Sequence, residues 1–434
     1  MSGSVVDNHT VSSGNSSVAV PTDISGPILD LDEDDDLEVF SKDTTLTDGS
    51  SFNASMQTSP ASMINQYKFE EEEEVDTKDI FVIVDNPESH VTAIETYITY
   101  RVVTKTTRSE FDSSEFEVRR RYQDFLWLKG RLEEAHPTLI VHPLPEKFVM
   151  KGMVERFSED FIETRRRALN RFLNKTAEHP IFSSSEDFKI FLTAASEELT
   201  SHKKQGPGFL SRMGETVKAV AAAVRGVRNR PQEFTDMQEY VEAFSQKISS
   251  LDKVTQRIVR EQKEYLEELK ECGPTYALWS QSEEELAEPL KNVAGCVDRC
   301  CKETEEQVKH VNDNLIPVLH EYVLCADTLK AVLRRRDNIQ ADFETKTEAL
   351  ATKKADRDSM RDDLDKSEDR LEWANNALKS DWTRWQKVMR NDLRSAFVDT
   401  AERNVSYYEK CLAVWESFLH SQRTDEENGK VDFS

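Results

Sequence analysis

The chain has 434 residues, a formal net charge of −25 and 32% charged against 37% hydrophobic residues, which suits a helix-rich polypeptide with room for two or three domains. No apolar run approaches the roughly 20 residues that span a bilayer, and the polar N-terminus carries no expected secretory signal. The six cysteines, Cys272, Cys296, Cys300, Cys301, Cys325 and Cys411, lack zinc-ribbon or redox spacing and are expected as reduced core or interface thiols of a cytosolic protein.

The acidity is uneven. Residues 1–78 hold 17 acidic residues against 3 lysines, in blocks such as DLDEDDDLEV and FEEEEEV among Ser, Thr and Asn. Such a segment buries too little apolar surface to offset its ordering entropy and is expected to be a disordered acidic tail. With the tail set aside, global charge says little about what the folded parts bind, and no nucleic-acid partner is expected.

From Asp79 the pattern changes. DIFVIVD, the β-branched and aromatic VTAIETYITYRVVTKT, and FEVRRRY read as three strands. A helix through DFLWLKGRLEEAH is ended by Pro137, a proline loop LIVHPLPEKF follows, and helices are expected over about 154–176 and 185–198. Three strands followed by helices make an α+β domain over 79–200. Beyond about 208 only helical periodicity remains, in stretches such as YVEAFSQKISSLDKVTQRIVREQKEYLEEL. Long helices broken or kinked at Gly273–Pro274, Pro289 and Pro317 imply an all-α elongated bundle or coiled coil over 232–434, whose seams need a partner.

The cluster at 119–121 poses the first functional question. Strand alternation puts Phe116, Val118, Arg120 and Tyr122 on one face and Glu117, Arg119 and Arg121 on the other, so the three arginines cannot serve one ligand. On the helix at 154–176, at 100° per residue from Phe157, Arg165 falls at about 80°, between Phe161 and Phe172 on the apolar face, while Arg166 and Arg167 turn away. An inward arginine needs a carboxylate, a backbone carbonyl or an anionic ligand. With Lys147 on the proline loop, the set reads either as a three-sided phosphate clamp or as an ion-paired structural group.

RRYQDF, a proline loop ending LPEK and a helix carrying RRRALNRF, in that order, resemble the PX phosphoinositide-binding domain over about 79–197. The resemblance implies that Arg121 grips the 3-phosphate of phosphatidylinositol 3-phosphate and that Tyr122 packs under the inositol ring. It also implies that Gln123 borders the lipid, Lys147 contacts the 1-phosphate and Arg165 binds the 4- and 5-hydroxyls. The loop departs from the family's usual PxxP, which leaves Lys151 to share the role of Lys147.

Between the two folded regions, 206–231 reads GPGFLSRMGETVKAVAAAVRGVRNRP. Phe209, Leu210, Met213, Val217, Val220 and Val224 form a narrow apolar stripe flanked by cations, the pattern of a helix lying in a membrane interface. The same residues also suit a helix packed on its own domain. This arrangement and the helices beyond resemble a BAR domain, three kinked helices that dimerise into a crescent. PX, amphipathic helix and BAR together resemble the PX-BAR sorting nexins, on the branch related to sorting nexin 4. On such a bundle Arg334–Arg336, Lys353–Lys354 and Arg384, Lys387, Arg390 and Arg394 would face anionic lipid or remain solvated helix faces.

The resemblance implies a peripheral, curvature-sensing protein on the cytoplasmic face of early endosomes, acting in sorting, recycling and autophagy. Its partners would be anionic curved membrane and either itself or another PX-BAR sorting nexin of the sorting nexin 4 type. A non-membrane coiled-coil adaptor whose α+β domain binds protein is the alternative. The chain carries no HxKxxxxD motif, Gly-rich phosphate loop, HRD-type loop or metal-ligand cluster, so no enzyme activity and no cofactor are expected.

Overall fold

The computed structural model describes residues 79–91, 96–146, 158–205, 227–352 and 357–429. The acidic tail, Lys147, Lys151, Phe157, Lys353, Lys354 and the stripe Phe209, Leu210, Met213, Val217, Val220 and Val224 lie outside them. Residues 79–88 and those from 98 onward belong to one structural unit; 89–97 belong to another, within which His90 stacks on Tyr97.

Three strands, β1 (Ile80–Val91), β2 (Thr96–Thr106) and β3 (Glu115–Arg121), form a sheet in that order. In β1, Ile80, Val82 and Val84 are buried while Phe81 and Ile83 are exposed, the period-two pattern of a sheet with one covered face. Strands β2 and β3 run antiparallel, with Tyr100 opposite Arg120 and Thr99 opposite Arg121. Helix α1 (Tyr122–Ala135) buries Phe125, Leu128 and Leu132, one helical stripe. Helix α2 (Glu159–Ala177) starts where the Ser158 hydroxyl accepts the Phe161 amide, with Glu159 and Asp160 in its first turn. The core closes around Phe125, which meets Phe191 and Phe172 edge-on at 5.0 and 6.4 Å.

The single helix expected over 185–198 is two, α3 (Glu186–Thr193) and α4 (Ser196–Gln205). Between them Ala194 is extended, at φ −69° and ψ 140°. Arg120 provides the physical reason, because its guanidinium takes the Phe191 and Ala194 carbonyls at 2.9 and 2.5 Å. Those acceptors are thereby committed outside the helical ladder.

The rest is helical: α5 (Gln232–Trp279), α6 (Ala287–His310), a π-helical turn at Val311–Leu315, α7 (Ile316–Thr352) and α8 (Arg357–Gly429). The prolines act more gently than expected. Pro274 sits inside α5, Pro289 occupies the first turn of α6, where a missing N–H costs little, and Pro317 directly follows the π-helical turn without breaking the helix. The helices share a core of Phe234, Val241, Ile248, Leu319, Tyr322, Leu329, Leu378, Trp382 and Trp385. Among the described residues no helix is long and apolar enough to cross a membrane.

Residues 137–146, the proline loop after α1, are fastened to these helices. The Ile140 side chain is buried in the helical core and its amide donates to Asp381 at 2.6 Å. Arg335 donates to the Pro137 carbonyl at 2.8 Å, and His142 lies 3.0 Å from Glu321, which also holds Arg171 at 2.6 Å. His320 bridges Glu146 and Asp252, 3.3 Å from each. From α2, Lys175 pairs with Asp392 at 2.8 Å, and His179 lies 3.1 Å from Asp381.

Two of these histidines titrate with opposite sign. The hydrogen bond to Glu146, outweighing burial and aided by Asp252, lifts His320 to about 9. Its contribution is fully present below its ordinary value of 6.5 and drains away as pH rises toward about 9. Burial, outweighing the Asp381 hydrogen bond, lowers His179 below 6.5, so its contribution holds above 6.5 and is lost as pH falls through the folded value. Thermal stability should therefore peak near pH 6.5 and decline on both sides. In His320→Gln, melting curves across this range should lose the alkaline decline and keep the acidic one; an unchanged alkaline limb would contradict the assignment.

Candidate functional site

The three consecutive arginines have three fates. Arg120, 1% exposed, bonds to the Phe191, Arg119 and Ala194 carbonyls and stacks on Phe191. Burial pushes its pKa down to about 10, against the pull of Asp124 and Glu198. Arg119 bridges β2 and β1, donating to the Thr99 hydroxyl at 3.0 Å and the Asn86 carbonyl at 2.8 Å, and pairing with Glu88 at 3.0 Å. Asn86 itself sits at φ 42°, in the left-handed region that asparagine tolerates. Arg121 ends β3 and caps α1, its amide donating to Asp124 at 2.7 Å, and its side chain is half-buried.

Next to Arg121 lies an aromatic–cation corner. The Arg165 guanidinium is 4.3 Å from the centre of the Tyr122 ring and 4.4 Å from that of Phe161. Arg165 also donates to the Glu146 carbonyl at 3.1 Å, and the Tyr122 hydroxyl donates to the adjacent Pro145 carbonyl. Burial raises the Tyr122 and Tyr100 phenols to about 12, against the nearby positive charge of Arg165. Both stay protonated at neutral pH, and Tyr122 serves as a donor. The structure thus brings Arg165 onto Tyr122, with Arg121 the preceding residue in the chain, half-buried, and Gln123 the following one, exposed. Chemically, the corner offers cations and polar donors over an aromatic floor, suited to a phosphorylated polyol.

Arg166 and Arg167 do not simply turn away. Both bind Glu163, whose carboxyl the Arg166 hydrogen bond, with lesser help from Arg167, holds down at about 2. Arg166 also donates to the Val84 carbonyl at 2.6 Å. Asn170 accepts the Val84 amide at 2.8 Å and Asn174 donates to the Val82 carbonyl at 2.9 Å. Residues at i, i+4 and i+8 of α2 thereby satisfy backbone groups along β1 that a neighbouring strand would otherwise take. Their spacing was visible in the sequence, but three polar residues in a row on a helix read equally well as a solvated face.

The basic clusters on the helices divide in the same way. Arg334, Arg390 and Arg394 are exposed. Arg335 is committed to the Pro137 carbonyl, and Arg384 to Asp381 at 2.7 Å. Arg336 is fully buried, bonded to Asn375 at 2.8 Å and stacked on Phe234 at 3.9 Å.

Comparison with known proteins follows the same division. The PX domain family matches residues 108–195, and the Vps5 C-terminal-like family matches residues 210–391. Sorting nexin-7 of Mus musculus is 62% identical over 375 residues, covering 86% of this chain and 96% of its own. Sorting nexin-30 of Danio rerio is 48% identical over 378 residues, covering 87% of each. Among solved structures, the cryo-EM structure of the SNX-BAR Mvp1 tetramer covers 78% of this chain and 99% of that one, with a TM-score of 0.52 and 17% identity. That last likeness concerns fold: an α+β part with a three-stranded sheet, followed by a helical SNX-BAR region.

The buried arginine gives the sharpest local test. Arg120→Ala strands three backbone carbonyls, two of them at the break between α3 and α4, and should cost about 3 kcal/mol. The change is read as a lower urea midpoint. Arg120→Lys should recover only part of the loss, because one ammonium cannot reproduce the planar fork.

Proposed function

The chain belongs to the PX-BAR sorting nexin family, and from that premise we propose that it binds phosphatidylinositol 3-phosphate through the corner at Arg121, Tyr122 and Arg165. The family acts at membranes in sorting and trafficking; the lipid, the early endosome as its location, a link to autophagy and the roles below are our reading. One observation carries it: Arg165 is held inward over Tyr122 at 4.3 Å, and Tyr122 directly follows Arg121 at the end of a strand. Arg121 would grip the 3-phosphate and Arg165 the 4- and 5-hydroxyls, with Tyr122 supporting the stacked guanidinium and ring. Gln123 would border the lipid, and Lys147 or Lys151 would reach the 1-phosphate.

A single such pocket binds weakly, so a second chain and the interfacial stripe at 206–231 would supply avidity. The exposed Arg334, Lys387, Arg390 and Arg394 are among the described cations that could meet an anionic leaflet.

Flotation of the full chain with liposomes tests the lipid assignment. Adding phosphatidylinositol 3-phosphate should raise recovery, and Arg121→Ala or Arg165→Ala should each weaken binding at least tenfold, about 1.4 kcal/mol for a lost charge-assisted contact. Recovery indifferent to the lipid would favour an adaptor whose α+β part binds protein.

Dimerisation has its own surface. On α8, Val398, Val405, Leu412 and Leu419 recur every seven residues, with Tyr408 and Trp415 three residues after Val405 and Leu412. All six are exposed, between 40% and 67%. An a/d heptad pattern left open on one chain is a seam for another helix, supplied by a second copy or by a sorting nexin 4-type partner. Leu412→Asp with Trp415→Asp should yield a monomer by sedimentation and lower liposome recovery with Arg121 intact. A variant that remains dimeric would show that the seam lies elsewhere.

A further inference from the structure

The corner at Arg165 is held from both sides by one dipeptide. The Pro145 carbonyl takes the Tyr122 hydroxyl, and the next carbonyl, of Glu146, takes Arg165 at 3.1 Å. The Glu146 carboxylate faces the other way and meets His320 Nε2 of α7 at 3.3 Å. His320 Nδ1 in turn lies 3.3 Å from Asp252 of α5, a carboxylate 5% exposed and steadied by Gln256 at 3.0 Å. A chain of contacts therefore runs from the inner face of the helices, through one imidazole and one glutamate, to the guanidinium of the corner.

We propose that His320 is a positioning residue for the headgroup site, so that the helical region is a working part of that site and not only its carrier. The inference rests on the phosphoinositide reading above and deepens it. Arg165 is long and rotamer-rich, and stacking on Tyr122 and Phe161 fixes its plane but leaves sliding within that plane. The Glu146 carbonyl supplies an in-plane restraint, and it is only as fixed as the peptide that carries it. His320 fixes that peptide at its far end, while His142 at Glu321 and Ile140 at Asp381 fix the residues before it. The hydrogen bond to Glu146, outweighing burial, lifts His320 to about 9, so it meets the carboxylate as a cation at neutral pH. Linkage makes the effect reciprocal: a headgroup that tightens on Arg165 tightens the contact between loop and helices by the same factor.

The test uses the full chain and the soluble headgroup inositol 1,3-bisphosphate, by calorimetry, which removes avidity and curvature from the measurement. His320→Gln should weaken binding about fivefold, and Glu146→Gln should do the same. The double variant should be no weaker than either single, because both break one connection. His320→Lys, which keeps a cation opposite Glu146, should restore most of the affinity, an outcome that a purely steric role would not give. Wild-type affinity in His320→Gln, or losses that add in the double variant, would overturn the proposal while leaving the phosphoinositide site standing. A wild-type chain that binds none of the headgroup overturns the phosphoinositide reading and this inference with it.

Discussion

Asp381 is a carboxylate only 4% exposed at the meeting of the α+β part with the long helices, and much of the structure depends on how it is satisfied. A buried charge is tolerable only when donors replace the water it gives up. Here the donors come from three places: the Ile140 amide at 2.6 Å, His179 Nε2 at 3.1 Å and Arg384 Nε at 2.7 Å. Burial alone would raise the carboxyl; these partners hold it below its ordinary range. His179 can play its part in one tautomer only, because its Nδ1 accepts the Ile181 and Phe182 amides at 3.1 and 3.2 Å, leaving the proton on Nε2. One carboxylate thus fixes the path of the proline loop, the end of α2 and the orientation of an imidazole. It also removes Arg384 from the cations free to meet a membrane.

Several arginines here satisfy backbone carbonyls. Arg120 takes three, Arg119 takes Asn86, Arg166 takes Val84 and Arg335 takes Pro137. Arg167 reaches the Asp313 carbonyl at 3.4 Å. That carbonyl is the i−4 acceptor of Pro317, which has no N–H to give it, so the α+β part supplies a donor that the helix lacks. Five donors in a rigid fork make arginine suited to such acceptors in a way lysine is not. The positive charge legible in the sequence therefore overstates the positive charge on the surface, and Arg334–Arg336 shows this within three residues: one exposed, one latched to the loop and one buried.

What was legible followed from local periodicity. DIFVIVD reads as a strand, although an unbroken apolar run does not say which face is buried; strand parity separates Arg120 from Arg121; and the helical wheel turns Arg165 inward, where it stacks on Tyr122 and Phe161. The rest depends on partners distant in sequence. Nothing in residues 185–198 announces a break at Ala194, because the cause is a guanidinium more than seventy residues earlier. The turned-away position of Arg166 looked like solvent from the wheel alone, yet β1 lies against it. His320 and Glu146 are 174 residues apart, and neither belongs to a motif. Pro274 reads as a breaker in sequence, but packing of α5 against α6 and α7 carries the helix past it.

Helix α8 divides into a half packed within the chain and a half with an open apolar face. In its first half Ala374, Leu378, Trp382, Trp385 and Met389 are buried, largely against α5 and α7. In its second half Phe397, Val398, Val405, Tyr408, Leu412, Trp415 and Leu419 are exposed, although α6 lies alongside through polar contacts such as Gln307–Asn404 and Thr304–Tyr407. The same contrast appears on α5, where Val241 and Ile248 are buried but Leu251, Val254, Ile258 and Tyr265 are exposed. A monomer that leaves successive heptads of large apolar side chains in water forgoes on the order of 1.5–3 kcal/mol for each one it could bury. The second chain proposed above would bury that surface. The polar contacts that bind the α+β part lie on the first half of α8, so pairing along the second half leaves the contacts around Asp381 intact.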